Sequence, residues 1–257
     1  MKLASRQLAA ALFAVILALP AAAPARAQSF SADQRGEIEK IIKEYLMSHP
    51  ELMQDVMTEL EKKQAMAEAE KHRTTVKENS AAIFASPRQV NLGNPQGDVT
   101  VVEFFDYNCS YCKRAMTDMV ELMKNDAKLK FVLKEFPVLG EGSVQAAQVA
   151  AAVRMQDKTG KKYLEFHQKL LGGRGQADKT RAFAVAKEIG LDVARIEKDM
   201  AGDEVKATIE ESFRLAEALG LNGTPSYVVG TDVVIGAVGA NTLKEKINSA
   251  RCGKATC

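Results

Sequence analysis

The spacing of apolar residues changes three times along this chain, between the pattern of helices and the pattern of strands. From residue 31 to about residue 86 they recur every three or four positions, the period of amphipathic helices. From residue 89 short apolar runs separated by turn residues predict β-strands. From residue 143 to about residue 219 the period is helical again, and strand signals return only near the C-terminus.

The elements predicted after residue 88 describe a small mixed sheet interrupted by a helical insertion. They are strands at 90–92, 99–105, 129–133, 226–229 and 233–235, a helix at 113–123, a helical block at 143–219 and a last helix at 242–250. Glycines at 160, 172–173, 190 and 202 divide the helical block. The fold class is therefore α/β, with the insertion at about 142–220.

The first helical segment has two start signals. Ser31 and Gln34 have the spacing of a capping box, and Ser48 precedes a proline, Pro50, in a first turn. After Leu60 the apolar pattern thins into Ala, Glu, Lys and Gln, which favours a solvated helix or a semi-rigid connector. Two short amphipathic helices bury too little surface to be stable alone. Their apolar faces are therefore expected to dock, either on the rest of the chain or on other copies of it.

Residues 1–27 have the pattern of a cleavable export signal. A basic start with Lys2 and Arg6 precedes a twelve-residue apolar core at 8–19, which is too short to span a bilayer comfortably. The small residues on either side of Arg26 predict cleavage before Gln28. An uncleaved anchor is the alternative. Export implies a compartment in which disulfides persist.

Charge excludes some classes of partner. The 27-residue leader holds three of the 35 basic side chains and no acidic one, so the remaining 230 residues contain 32 basic and 33 acidic side chains. That balance indicates neither nucleic acid nor an anionic membrane as a partner. The remaining length is enough for one domain with a good core and an additional element.

Cys109 and Cys112 supply the candidate chemistry. They lie where the predicted strand at 99–105 gives way to the predicted helix at 113–123. Unpaired N–H groups and the positive end of the helix dipole favour the thiolate at a first turn, and the thiolate is the form that attacks a disulfide. Cys112 follows on the same helix face and can resolve a mixed disulfide. Cys109 is predicted to be the nucleophile of a redox-active dithiol.

Zinc binding is the main alternative for this pair. Zinc usually takes four ligands, and the histidines His49, His72 and His167 are not paired in sequence. A purely structural disulfide is also disfavoured, because so short a loop restricts little chain entropy. No metal is predicted.

Cys252 and Cys257 form a second local pair at the C-terminus. In an exported chain the simplest expectation is a structural disulfide that holds the tail. A second redox-active or copper-binding pair stays open as the alternative, although no strand-to-helix junction accompanies it.

The catalytic part, about 89–250, resembles the thioredoxin fold with a helical insertion of the bacterial DsbA-like oxidoreductases. The motif FFDYNCSYC at 104–112 and the motif GTPSY at 223–227 carry the resemblance. It implies that Glu103 is the buried acid that takes a proton from Cys112, and that Pro225 is a cis proline beside the cysteines. It also implies that Thr224 pairs with the client backbone. Ser110 and Tyr111 are expected to contact the client.

Residues 28–86 are similar to the N-terminal segment of the suppressor-of-copper-sensitivity C (ScsC-like) proteins. The pattern includes Phe30, Ser31, Gln34, Ile38, Ile41, Ile42, Tyr45, Leu46, Pro50, Glu51, Leu60 and Glu61. The resemblance implies a homo-oligomer, with a trimer favoured. We therefore expect residues 1–27 to be the signal, 28–87 the oligomerisation segment and linker, and 88–257 the catalytic domain.

The resemblance implies a periplasmic protein disulfide isomerase or reductase without a cofactor. Its clients would be misfolded or disulfide-containing exported proteins, and a membrane thiol reductase of the DsbD/ScsB type would keep it reduced. A DsbA-type dithiol oxidase, which runs the same chemistry in the opposite direction, stays open. So does a Cu(I)-binding copper-tolerance protein, because thiolates are soft ligands.

Overall fold

The computed structural model of the chain describes residues 30–157 and 159–257. The export signal predicted at 1–27 lies outside the described residues. The chain divides into two units, with the boundary between Glu59 and Leu60.

The first unit contains helix α1 (Ala32–Ser48) and the beginning of helix α2 (Pro50–Glu78). The predicted capping box is confirmed: the Ser31 hydroxyl accepts from the Gln34 N–H at 3.2 Å, and the Gln34 side-chain oxygen accepts from the Ser31 N–H at 2.9 Å. The second helix begins at Pro50, as the sequence predicted.

No residue of α1 is buried in the single chain. The large apolar side chains exposed on α1 and on the adjoining turns of α2 are Ile38, Ile41, Ile42, Tyr45, Leu46, Met47, Met53, Val56 and Met57. We call this set the N-terminal apolar surface. Isolated exposed apolar residues are common, but so many on two consecutive helices are typical of an interaction surface.

The second unit contains the remaining elements. Its strands are β1 (Val90–Gly93), β2 (Val99–Phe105), β3 (Leu129–Glu135), β4 (Ser226–Val229) and β5 (Asp232–Ile235). Its helices after α2 are α3 (Ser80–Phe84), α4 (Ser110–Asn125), α5 (Glu141–Gln156), α6 (Lys161–Gly172), α7 (Lys179–Glu188), α8 (Val193–Asp199), α9 (Asp203–Ala218) and α10 (Gly239–Cys252). The mixed sheet with a helical insertion is thereby confirmed.

The five strands form one sheet in the order β1-β3-β2-β4-β5. β2 and β3 are parallel, whereas β4 runs antiparallel to β2. The C-terminal ends of β2 and β3 therefore lie at the same end of the sheet as the N-terminal end of β4. The turn that carries the two cysteines follows β2, so it is flanked by the chain leaving β3 and by the chain entering β4.

Each face of the sheet has its own hydrophobic core. One core joins Val101 and Phe105 of β2 to helices α4, α5, α6, α7 and α10. The other joins Val102 and Phe104 to α3 and α9. β2 supplies both because its side chains alternate between the two faces. Its near-complete burial explains why the 99–105 run is almost continuously apolar.

Helix α3 packs on the second face and is held there by polar contacts as well. Ile83 is fully buried, Lys134 donates to the Ala82 carbonyl at 2.7 Å, and Lys130 donates to the Phe84 carbonyl at 3.3 Å. Because these carbonyls lie in the last turn of α3, the two lysines satisfy acceptors that the helix leaves unpaired. The packed unit thus begins before residue 88, where the sequence placed the start of the catalytic domain.

Replacement of Ile83 by alanine is expected to lower the free energy of unfolding by about 2–5 kcal/mol, because it leaves a cavity in the second core. Ile235 is 43% exposed on the edge strand β5, so Ile235→Ala serves as the matched control and should change stability far less. Chemical denaturation of both variants measures the difference. Equal effects would show that α3 is not part of the packed unit.

Within the described parts of the chain, no helix combines the length and the apolar character that crossing a membrane requires.

Candidate active site

Cys109 is the N-cap of α4, at the end of the turn that follows β2. Its sulfur accepts a hydrogen bond from the N–H of Cys112 at 3.3 Å. Both cysteines are free thiols, and Cys112 is fully buried behind Cys109. A cysteine in place of the usual serine or aspartate cap directs its sulfur at the unpaired N–H groups of the first turn.

These surroundings lower the pKa of the Cys109 thiol to about 5. The largest cause is a hydrogen bond with the Cys112 side chain. Burial opposes the shift, whereas the Thr224 side chain and the N–H groups of Cys112 and Tyr111 add to it. Thr224 is distant from Cys109 in sequence, so this contribution to the lowered pKa depends on the fold. At neutral pH Cys109 is therefore a thiolate.

Cys112 has the opposite character. Burial raises the pKa of its thiol far above the usual value, and the hydrogen bond with Cys109 and the nearby Glu103 carboxylate add to the effect. The pair thus consists of one ionised sulfur and one protonated sulfur, and the second can act only after it loses its proton.

Glu103 lies on β2, opposite Tyr227 of β4, and is 3% exposed. Burial raises the pKa of its carboxyl group to about 8, with smaller contributions from the charges of Asp118 and Cys109. A carboxyl group with this pKa can hold or release a proton near neutral pH. The charge of the Glu103 carboxylate in turn helps to raise the pKa of the Cys112 thiol, which indicates that the two groups are near each other.

The chain entering β4 completes the site on one side. The Thr224–Pro225 peptide bond is cis, and the Thr224 carbonyl oxygen lies 3.2 Å from the sulfur of Cys109. The Gly236 N–H donates to the Pro225 carbonyl at 2.8 Å and holds this segment in place. The structure therefore brings together Cys109, Cys112 and Thr224–Pro225.

Ser110 and Tyr111 are the outermost groups of the site. Both residues are exposed, Tyr111 by 57%, and the Arg114 guanidinium lies 5.3 Å from the centroid of the Tyr111 ring. They occupy a position where a bound chain could touch them.

The pH dependence of thiol reactivity gives a direct test of this geometry. Alkylation of reduced protein by iodoacetamide should reach half its maximal rate near pH 5, since only the thiolate reacts and the pKa of Cys109 is about 5. In Cys112→Ala the midpoint should rise, because the largest cause of the lowered pKa is removed. A wild-type midpoint near 8.5, the ordinary value for cysteine, would contradict this account.

The sequence did not predict a second set of polar groups at the site. The Asp106 carboxylate is buried in the turn before Cys109 and accepts four hydrogen bonds. Asn108 exchanges hydrogen bonds with the backbone of Ala177, in the helical insertion, at 2.7 and 2.9 Å. The sequence signal that could have indicated this role for Asp106 is its position as an acidic residue directly after an apolar strand.

A third group of buried side chains surrounds Tyr107. Tyr163 donates a short hydrogen bond to Glu135, and Tyr107 donates to Tyr163 at 3.4 Å. His167 stacks on the Tyr163 ring and contacts Phe105 and Tyr107 edge to face, and burial lowers the pKa of its imidazole to about 3. A neutral histidine among aromatic rings supports the core beneath the turn.

The remaining cysteines lie at the end of α10. Cys252 and Cys257 form a disulfide with a Cα–Cα distance of 6.3 Å, and both are exposed. Among the described residues there is no group of three or more His, Cys, Asp or Glu side chains placed to hold a metal ion.

Comparison with protein families gives two matches. Residues 100–248 match the DSBA-like thioredoxin domain, and residues 34–67 match the copper resistance protein ScsC N-terminal domain. Together the two matches span both units of the chain, in the order that the sequence predicted.

Solved structures agree with the fold. A thioredoxin-like oxidoreductase from Silicibacter pomeroyi DSS-3 is 46% identical, with a TM-score of 0.64, and the match covers 67% of this chain and 98% of that one. Proteus mirabilis ScsC in a transitional conformation is 24% identical, with a TM-score of 0.63, and the match covers 88% of this chain and 98% of that one. At that identity the second likeness shows the fold alone.

Curated relatives match over part of their length. The thiol:disulfide interchange protein DsbA of Bordetella pertussis is 27% identical over 150 residues, which are 55% of this chain and 70% of that protein. The Na(+)/H(+) antiporter NhaA 1 of Salinispora arenicola is 26% identical over 161 residues, which are 63% of this chain and 24% of that protein. The chain therefore spans about a quarter of the length of the antiporter it matches.

Proposed function

The chain belongs to the DSBA-like thioredoxin family of thiol–disulfide oxidoreductases, and from this premise we propose that it is a periplasmic protein disulfide isomerase and reductase. The observation that carries thiol–disulfide exchange, the chemistry of this proposal, is the asymmetric dithiol: an ionised Cys109 at the helix terminus and a buried, protonated Cys112. Cys109 can attack a disulfide directly, whereas Cys112 can attack only after it loses its proton.

The first step is attack of the Cys109 thiolate on one sulfur of a client disulfide. A bond forms between Cys109 and that sulfur, the client disulfide breaks, and the other client sulfur leaves as a thiolate. The Thr224 backbone, 3.2 Å from the attacking sulfur, can pair with the client as an added strand would. No electrons are gained or lost overall, because one disulfide replaces another.

Two outcomes follow from the mixed disulfide. In isomerisation another client thiolate attacks the client sulfur bound to Cys109, which forms a new client disulfide and restores the Cys109 thiolate. In reduction the Cys112 thiolate attacks the sulfur of Cys109. The client then leaves with two reduced cysteines, and the protein keeps a Cys109–Cys112 disulfide.

Glu103 is the proposed proton acceptor for the second outcome. Cys112 must lose its proton to become a nucleophile, and burial opposes that loss. A carboxylate beside it, with a pKa of about 8, can accept the proton because its own affinity for protons is raised by the same burial. Only the ionised form accepts, so release of the client should accelerate as the pH rises toward 8.

Glu103→Gln is expected to slow release of client from the mixed disulfide by roughly 10²-fold, the lower end of general-base effects, and to remove the acceleration up to pH 8. The first attack should keep its rate, since Cys109 is already ionised. Single-turnover kinetics between pH 6 and 9, with attack and release followed separately, measure both steps. A variant that slows attack and release equally would exclude this role.

The isomerase direction is supported by the N-terminal unit. Residues 34–67 match the ScsC N-terminal domain, and the N-terminal apolar surface has no cover within its own unit. We propose that it joins three copies, so that several dithiols can engage one misfolded exported client. The dithiol would be kept reduced by a membrane thiol reductase.

A dithiol oxidase is the second candidate, and one observation favours it. A pKa of about 5 for Cys109 stabilises the reduced form, which makes the corresponding disulfide more oxidising. The redox state of Cys109 and Cys112 in cells separates the two functions. Acid quenching followed by alkylation should find them mostly reduced in an isomerase or reductase, and a mostly oxidised pair would establish the oxidase instead.

A further inference from the structure

The chain leaving β3 approaches the dithiol from the side opposite Thr224. The loop at residues 136–140, between β3 and α5, follows a strand that lies next to β2, whereas Thr224 enters β4 on the other side of β2. The Phe136 N–H donates to the Phe105 carbonyl at 2.9 Å, so the loop starts beside the last residue of β2. The Cys109 turn therefore lies between two chain segments.

The tip of the 136–140 loop is apolar and uncovered. Phe136 and Pro137 are buried, but Val138 is 41% exposed and Leu139 is 51% exposed. Gly140 follows with a φ of +99°, which lets the chain turn directly into α5. Two adjacent aliphatic side chains thus remain outside the core, at the same end of the sheet as the nucleophile.

The Asp106 carboxylate joins this loop to the dithiol turn. One of its oxygens accepts from the N–H groups of Val138 and Leu139 at 2.8 and 2.9 Å. The other accepts from the Asn108 N–H and the Ser143 hydroxyl, both at 2.7 Å. The Asp106 carbonyl in turn accepts from the Cys109 N–H at 3.1 Å. A buried carboxylate with four donors has its hydrogen-bonding capacity filled, so it fixes both segments relative to one another.

We propose that Val138 and Leu139 form an apolar wall for the client chain, and that Asp106 is the positioning residue that holds this wall beside Cys109. The occupant is the client segment that carries the cysteine under attack. Its backbone lies along Thr224, and the side chain next to its cysteine lies against the wall. This inference rests on the proposed function and adds a preference to it: an aliphatic or aromatic residue beside the client cysteine.

The preference follows from what each surface offers. The Thr224 backbone contacts peptide groups, which all clients share, and therefore cannot distinguish one sequence from another. Aliphatic side chains gain from removal of apolar area from water, so they favour clients with apolar neighbours. Misfolded chains expose such residues, whereas folded chains bury them.

The test uses two disulfide-linked peptides that differ only in having leucine or serine beside the cysteine, and the full chain in reduced form. We expect the second-order rate constant to be about tenfold higher for the leucine peptide, since that ratio corresponds to burial of part of one leucine side chain. In V138S/L139S the preference should fall toward one. In V138I/L139M, which keeps the wall apolar, it should persist.

Asp106→Asn separates positioning from contact. The amide cannot accept all four hydrogen bonds, so the preference should fall although Val138 and Leu139 are unchanged. Ser143→Ala is the matched control: it removes one donor to the other oxygen and leaves the loop contacts, so the preference should remain. If Asp106→Asn does not fold, the Val138 and Leu139 variants still decide whether the wall exists.

The outcomes distinguish this inference from the proposed function. Absence of reaction with both peptides would contradict the function itself. Equal rates for both peptides in the wild type, or a preference that survives V138S/L139S, would overturn the wall and leave the function standing. A change in sedimentation of V138S/L139S without a change in preference would show that the loop binds a second copy instead, and would also overturn it.

Discussion

Cys109→Ser should abolish thiol–disulfide exchange, with a loss of roughly 10³-fold or more, the scale on which removal of an enzyme nucleophile acts. The reason is the asymmetry of the two sulfurs. Burial, the largest cause of the raised pKa of Cys112, does not depend on Cys109 and keeps Cys112 protonated and away from solvent, so Cys112 cannot replace the missing nucleophile. The measurement is the rate at which reduced protein exchanges with a disulfide-linked peptide at pH 7.

Cys112→Ser is the matched control and should behave differently. Cys109 remains at the helix terminus with its N–H donors, so attack continues, but release through Cys112 is lost. A mixed disulfide between Cys109 and the client should accumulate and be visible on non-reducing electrophoresis. If Cys109→Ser kept its exchange rate, or if mixed disulfides formed through Cys112, the assigned order of the two sulfurs would be wrong.

The elements of the sheet could be predicted because each strand has a local signature. β2 and β4 occupy the predicted ranges, since β2 is buried on both faces and reads as a continuous apolar run. The starts of α1 and α2 could also be predicted, because the signals at Ser31 and Pro50 each depend on residues within one turn. α4 begins at Ser110, before the predicted residue 113, because Cys109 itself is the cap. The apolar pattern starts one turn too late, whereas the position of the cysteine pair already placed Cys109 at the start of the helix.

Contacts between distant segments were beyond local patterns. Asp106 looks like an ordinary turn residue until β3 is placed beside β2, which brings the 136–140 loop to its carboxylate. The same holds for Lys130 and Lys134, whose positions in β3 do not reveal that they bind the end of α3. Tertiary hydrogen bonds depend on which strands become neighbours, and strand order is not encoded in the period of a single strand.

Deletion of residues 28–59 should separate isomerisation from simple exchange. Rescue of a scrambled client should fall by roughly 10²-fold, the lower end of the gain from linking several binding modules, whereas exchange with a small peptide should keep its rate. The deletion stops at residue 59 because Val76 and Ile83 are buried in the second core, so removal of residues up to 87 would also damage the catalytic unit. Refolding of scrambled ribonuclease and sedimentation measure rescue and oligomeric state.

Substitutions on α1 test the same idea without shortening the chain. Ile38 and Ile42 are exposed in the single chain, so Ile38→Ser with Ile42→Ser costs no packing there and should act only by weakening the proposed contact between copies. Lys40→Ser with Lys43→Ser, on the same helix, is the matched control and should change neither sedimentation nor rescue. Because both pairs carry the same number of serines, a difference between them reports on the apolar surface itself. Monomers that rescue clients as well as the wild type would show that the dithiol needs no second copy, and would leave the oxidase as the better account of the direction.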